Sequence, residues 1–170
     1  GRYIEAAREQ LVGLEICLTT TEMGHMAFAR EYIEAKGLKR VGFESGSMTV
    51  DAHRRYEKEL PCALVPAQKL LEELRASKDE GELALMRRAQ EITDEAFKAI
   101  LNFIRPGMTE REIAARLVYE LLSRGGERVS FDPIVAAGPN GSRPHAVPGD
   151  LMVDKGMFIT MDFGCKVGGY

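Results

Sequence analysis

Between Ser77 and Gly126 the chain is punctuated as two helices joined by one tight turn, and this constrains the fold more than any other stretch. Ser77 followed by Glu80 has the form of a capping box, in which each side chain satisfies a backbone donor of the other residue. Leu83, Met86, Gln90, Phe97, Ile100, Leu101 and Ile104 then broadly follow helical spacing, and Ala89, Ile92 and Ala96 fill out the same side. Pro106-Gly107 ends that helix, because proline cannot continue the hydrogen-bond ladder. Thr109 with Glu112 is a second capping box, opening a helix with Ile113, Leu117 and Leu121 on its apolar face. Gly125-Gly126 closes it. After Arg128 the pattern shifts to short apolar runs and turn formers. Two long helices followed by strands predict an α+β domain with its helices on one face of a sheet.

The strand-forming stretch carries the chemistry. Ile134 to Ala137 is a short apolar run, and the loop after it, Gly138-Pro139-Asn140-Gly141-Ser142-Arg143-Pro144, is rich in turn formers and presents His145. Met157 to Phe163 reads as a second strand with Asp162 in its interior. Residues two apart share a face of a strand, so Thr160 and Asp162 fall on one side and Ile159, Met161 and Phe163 on the other. A carboxylate inside an apolar strand is costly unless it is paired or bound to a metal. Asp162 is a candidate metal ligand, a hard oxygen donor suited to manganese, cobalt, zinc or magnesium, and taken alone it reads equally as a strand-end carboxylate that caps the turn at Gly164. An imidazole held on the nearby loop can donate a hydrogen bond to a substrate carbonyl, which makes His145 the candidate catalytic residue. His25 and His53 sit among polar neighbours on predicted helices and read as surface residues.

Several other chemistries are excluded by context. Asp162-Phe163-Gly164 matches the magnesium motif of protein kinases, but there is no HRD loop and no glycine-rich loop ahead of a strand lysine. The glycines at 138–141 lack the GKS or GKT of a phosphate loop. No GxSxG nucleophile elbow occurs.

The residues before Ser77 alternate between helix and strand patterns. Tyr3 to Gln10 reads helical, Val12 to Leu18 reads as a buried strand, and Glu22 to Lys36 is an amphipathic helix ended by Gly37. Arg40 to Phe43 and Cys62 to Val65 read as short strands on either side of a charged helix, Val50 to Glu59. Leu70, Leu71 and Leu74 mark one more helix before the boundary. Helices between strands predict a parallel or mixed sheet with crossover helices. The domain division is thus placed at 1–76 and 77–170.

Composition narrows the class of partner. At 170 residues, 45% of them apolar and 29% charged, the chain is of ordinary globular type. A net charge of −3 gives no electrostatic case for nucleic acid or an anionic membrane surface. No apolar run approaches a membrane span. Cys17, Cys62 and Cys165 are widely spaced, form no CxxC and read as free thiols of a reducing, cytoplasmic compartment.

Several of these pieces together resemble the pita-bread metallopeptidases, and within them Xaa-Pro aminopeptidase and Xaa-Pro dipeptidase (prolidase). The residues that carry the resemblance are Phe131 through Gly138, Pro144-His145, Lys155-Gly156, Met161 through Cys165 and Gly168-Gly169-Tyr170. Lys78 through Glu82 and the Arg105-Pro106-Gly107-Met108-Thr109-Glu110 turn are also similar, and Gly1-Arg2-Tyr3 is similar to the middle of the family's small N-terminal domain. The resemblance covers the whole chain, tightly from about Ser77 and loosely before it.

The resemblance implies a portion of a small α/β, creatinase-like domain followed by the front portion of an α+β pita-bread catalytic domain. It implies two divalent metal ions (manganese, cobalt or zinc) held by two Asp, one His and two Glu, of which Asp162 matches the first Asp. His145 matches the substrate-contacting histidine, which is not a ligand. The other four ligands are expected beyond Tyr170, so residues 1–170 alone are expected to be inactive and to expose apolar surface. The substrate implied is a peptide with proline at its second position, and the parent enzyme is expected to be a cytoplasmic homodimer. Three alternatives share the fold: a creatinase-like hydrolase that needs no metal, a peptide-binding module without catalysis, and the methionine aminopeptidase branch. Asp162 in its Asp-Phe-Gly-Cys context disfavours the first, Asp162 together with His145 the second, and the preceding α/β domain the third.

Overall fold

The structure, a computed structural model, describes residues 3–170, which fall into two compact units, 3–77 and 78–170. In the first unit, helices α1 (Ile4–Gln10) and α2 (His25–Ala35) precede strand β1 (Arg40–Phe43), helix α3 (Val50–Glu59), strand β2 (Ala63–Pro66) and helix α4 (Gln68–Ala76). β1 and β2 pair in parallel, Arg40 opposite Ala63 through Phe43 opposite Pro66. Parallel neighbours need a crossover, and α3 supplies it. Thr49 caps α3 by accepting from the Ala52 amide, and the Arg30 guanidinium of α2 donates to the Glu59 carbonyl at 2.9 Å. Among the described residues only Ile33 and Leu60 of this unit are buried apolar side chains.

Two expectations fail here. Val12 to Leu18 forms no strand: Val12 is 89% exposed, and the segment has no pairing partner among the described residues. An apolar run becomes a strand only where it pairs with another, and β1 and β2 pair with each other and not with this segment. His53 is half-buried rather than a surface residue, its ring tilted against Phe43 at 5.0 Å.

The second unit is built on helices α5 (Glu80–Phe103) and α6 (Glu110–Ser123). The α5 capping box is real but begins at Asp79, whose carboxylate accepts from the Glu82 amide while Glu82 reaches back to the Asp79 amide. Ser77 lies outside the helix, since two overlapping signals compete here and the carboxylate is at least as good a cap as the hydroxyl. The Thr109–Glu112 box of α6 forms as expected. The buried stripe of α5 is Ala89, Ile92, Ala96 and Ile100, whereas Met86, Phe97 and Leu101 are largely exposed. It packs with Ile113, Leu117 and Leu121 of α6.

Strands β3 (Arg128–Val129), β4 (Ile134–Ala137), β5 (Ile159–Asp162) and β6 (Cys165–Lys166) complete the unit, with a 3₁₀ turn at Gly138–Ser142 after β4. They form two antiparallel pairs, β3 with β6 and β4 with β5. The β4–β5 register sets Ile134 opposite Asp162 and Ala136 opposite Thr160. Val135 and Ala137 of β4 join the helical core directly, and Ile159, Met161 and Phe163 pack against it. Gly126 admits this close packing: a Cβ there would lie 2.9 Å from the Cys165 Cβ.

Candidate active site

β5 brings Asp162 to the surface, not the interior. Burial alternates along the strand, with Ile159 and Met161 half-buried and Thr160 and Asp162 exposed. The two faces are those expected from the period of two, but the carboxylate faces solvent, so its desolvation cost does not arise. Phe163 anchors the strand end by stacking on Phe97 at 6.2 Å. Asp162 accepts no hydrogen bond and forms no ion pair with a described residue, so both its oxygens remain available as donors to a ligand.

His145 is also exposed and without a side-chain partner. The loop beneath it is ordered by contacts at each end. The Gly138 amide extends the β4–β5 ladder by donating to the Phe158 carbonyl at 2.9 Å. The Thr160 hydroxyl, on the face that carries Asp162, donates to the Gly141 carbonyl at 3.4 Å. A Cβ at Gly141 would stand 3.2 Å from that hydroxyl. The structure thus ties the His145 loop to the Asp162 strand through Thr160. It places no hydrogen bond or ion pair between His145 and Asp162 themselves.

Glu110, unmarked as a site residue by its sequence position, is the most heavily engaged side chain near this loop. It is fully buried, at the first position of α6. Its Oε1 accepts from the Ala137 amide at 2.7 Å, its Oε2 accepts from the Gly149 amide at 3.0 Å, and the Asn140 side-chain amide donates to both oxygens at 3.1 and 3.2 Å. The Asn140 amide must turn its nitrogen inward, because an ionised carboxylate only accepts. Burial on its own would raise the carboxyl's pKa; the bonds from Ala137, Gly149 and Asn140 and the charge of Arg143 outweigh it and hold the group below the usual carboxylate range. The positive end of α6 favours the same charged form. The backbone repeats the connection: the Glu110 and Arg111 amides donate to the Leu151 and Gly149 carbonyls at 3.0 and 3.1 Å. Those are donors that a helix start leaves unsatisfied.

A second buried carboxylate, Glu120, lies on α6 as part of an ion-pair cluster with Arg116 and Arg124. Burial again works against ionisation, and the two guanidiniums prevail and lower its pKa. Among the described residues no group of three or more His, Cys, Asp or Glu could hold a metal. Asp162 fits a metal as one unencumbered oxygen ligand, and the other donors are not found around it.

A small α/β unit followed by two helices backing antiparallel strands defines a creatinase-type N-terminal domain and the start of a pita-bread metallopeptidase domain. Residues 1–77 match the creatinase/prolidase N-terminal domain, residues 84–170 match metallopeptidase family M24, and the chain belongs to that family. It is 36% identical to the uncharacterized peptidase YqhT of Bacillus subtilis over 170 residues, covering 99% of this chain and 48% of that one. It superposes on the Xaa-Pro dipeptidase from Bacillus anthracis with a TM-score of 0.89 at 32% identity, covering 96% of this chain and 46% of that one. An X-Pro aminopeptidase from Thermotoga maritima gives a TM-score of 0.89 at 30% identity, covering 97% of this chain and 47% of that one. The chain spans about half the length of the curated relatives it matches.

Proposed function

We propose that the chain is the front portion of a metal-dependent peptidase that cleaves peptide bonds next to proline, with Asp162 as a metal ligand and His145 in contact with the substrate. The observation that carries this reading is Asp162: an exposed strand carboxylate with no protein partner, beside a loop that presents an unpartnered histidine. The similarity to an Xaa-Pro dipeptidase and an X-Pro aminopeptidase supports the substrate class. Divalent metals in such a site supply Lewis acidity and lower the pKa of a water molecule. Asp162 contributes one anionic oxygen toward holding them. His145 donates a hydrogen bond to the substrate carbonyl or to the oxyanion that develops from it, and its exposed position leaves it open to an incoming peptide. Proline at the second position is the proposed recognition element. Manganese, cobalt and zinc are the proposed metals, and the proposed working form is a dimer.

Residues 1–170 by themselves are proposed to be inactive, because one carboxylate does not hold a metal pair. The isolated segment is also expected to self-associate, since Phe158 is 91% and Val147 83% exposed. The test is an assay of the full-length protein with Xaa-Pro peptides and each of the three metals. Metal-dependent release of the residue before proline, abolished by Asp162→Asn and reduced by about a hundredfold in kcat by His145→Ala, is the expected result. Equal activity after exhaustive chelation would overturn it, as would tight metal binding and turnover by residues 1–170 alone.

A further inference from the structure

We propose that Glu110 is a positioning residue that clamps both ends of the 138–149 loop and so fixes where His145 stands; the catalytic consequence rests on the role given to His145 above. The loop leaves β4 at Ala137 and rejoins the body of the unit at Gly149. The two oxygens of one carboxylate hold those two points, Ala137 through Oε1 and Gly149 through Oε2, and Asn140 inside the loop bridges both. The His145 side chain has no hydrogen bond, ion pair or ring contact among the described residues, so its place is set chiefly by the backbone that carries it. Gly149 is bound twice to α6, as donor to the Glu110 side chain and as acceptor from the Arg111 amide. The far ends of the loop are thereby referred to a single rigid point, the first turn of α6.

The chemistry asks for a carboxylate in particular. Every group facing Glu110 is an N–H donor, and an ionised carboxylate is the side chain that only accepts. Glutamine has the same shape but turns an NH₂ toward either the Ala137 or the Gly149 amide, so one end of the loop is released while the volume is kept. Aspartate keeps the charge but is one methylene too short to bridge 137 and 149.

The experiment has two arms. In the full-length protein, amide hydrogen exchange is compared between the native sequence and Glu110→Gln. Faster exchange across 138–149 by about tenfold or more, with Ile113 to Leu121 unchanged, is expected. Unchanged loop exchange, or an equal rise in the α6 core, overturns the clamp. In the full-length protein, Glu110→Gln is expected to lower kcat about tenfold at unchanged KM and unchanged bound metal, and to add nothing in a His145→Ala background. Losses that multiply with those of His145→Ala show that Glu110 acts elsewhere and overturn the proposal. An inconsequential His145→Ala overturns the reading of His145 and the catalytic consequence with it, while the exchange arm still decides the clamp. Should Glu110→Gln fail to fold, Asn140→Ala removes only the bridging donor and is read by the same two arms.

Discussion

Replacing Glu110 by alanine strands two backbone amides, that of buried Ala137 and that of half-buried Gly149. A buried donor left without a partner costs about 1–3 kcal/mol and a half-buried one less, so a loss of roughly 2–4 kcal/mol in the stability of residues 78–170 is expected, measured by urea unfolding. The ionisation of Glu110 adds a pH signature. Its folded pKa lies below the ordinary carboxylate value, so its charged form stabilises the fold at pH above the unfolded value. That stabilisation fades as pH falls through the usual carboxylate range and is gone below the depressed folded value. Glu110→Gln is therefore expected to show a flatter fall in unfolding midpoint than the native chain as pH drops below about 5. Curves that stay parallel across that window would mean that Glu110 has the same pKa folded and unfolded, and a native chain that gains stability relative to the variant as pH falls would mean that Glu110 is protonated in the fold. At this scale the sequence was partly legible. Asp162 and His145 could be marked from their neighbours, but an acidic residue in a first helical turn has the look of a solvated dipole partner. What buries Glu110 is a loop about 30 residues away, and no local pattern records that.

The elements themselves were read from local rules where those rules act alone. Both long helices, both of their stops and the Thr109–Glu112 box follow from neighbours in sequence. The start of α5 was shifted because Ser77 and Asp79 each have a glutamate three residues on, and spacing cannot rank them. The structure separates them, since the Glu82 amide donates to Asp79 Oδ1 at 2.9 Å. Asp79→Ala is expected to cost about 1 kcal/mol and to fray the first turn of α5, while Ser77→Ala leaves that turn intact. Thermal unfolding with exchange at Glu82 and Leu83 separates the two variants; equal effects would put the cap back at Ser77. The Val12–Leu18 expectation failed for a non-local reason: strand formation depends on an edge elsewhere in the chain, and composition alone does not show whether one is offered.

Across the whole molecule, the two units differ in how much apolar surface they bury. In residues 3–77 the buried apolar side chains are Ile33 and Leu60, whereas residues 78–170 enclose a continuous cluster from Ala89 to Cys165. The helix α4 buries none of its residues, leaving Leu70 and Leu74 61% and 68% exposed. Burial of a leucine or isoleucine contributes about 1.5–3 kcal/mol, so two such residues fall short of the backbone entropy of even a short helix. No local pattern forewarns of this, because residues 3–77 also carry apolar side chains at helical and strand spacing. What differs is how many of those faces meet another. Hydrogen exchange across the intact chain is therefore expected to be uneven. Amides of α2, α3 and the β1–β2 pair should exchange through low-energy local openings, and those of Ile92 to Ile100 and Ile113 to Leu121 only through opening of the whole second unit. Denaturant should unfold 78–170 as one cooperative step, with the first unit already exchanging before it. A single transition, with protection in α3 equal to that in α6, would show that the first unit draws its stability from the second and not from its own core.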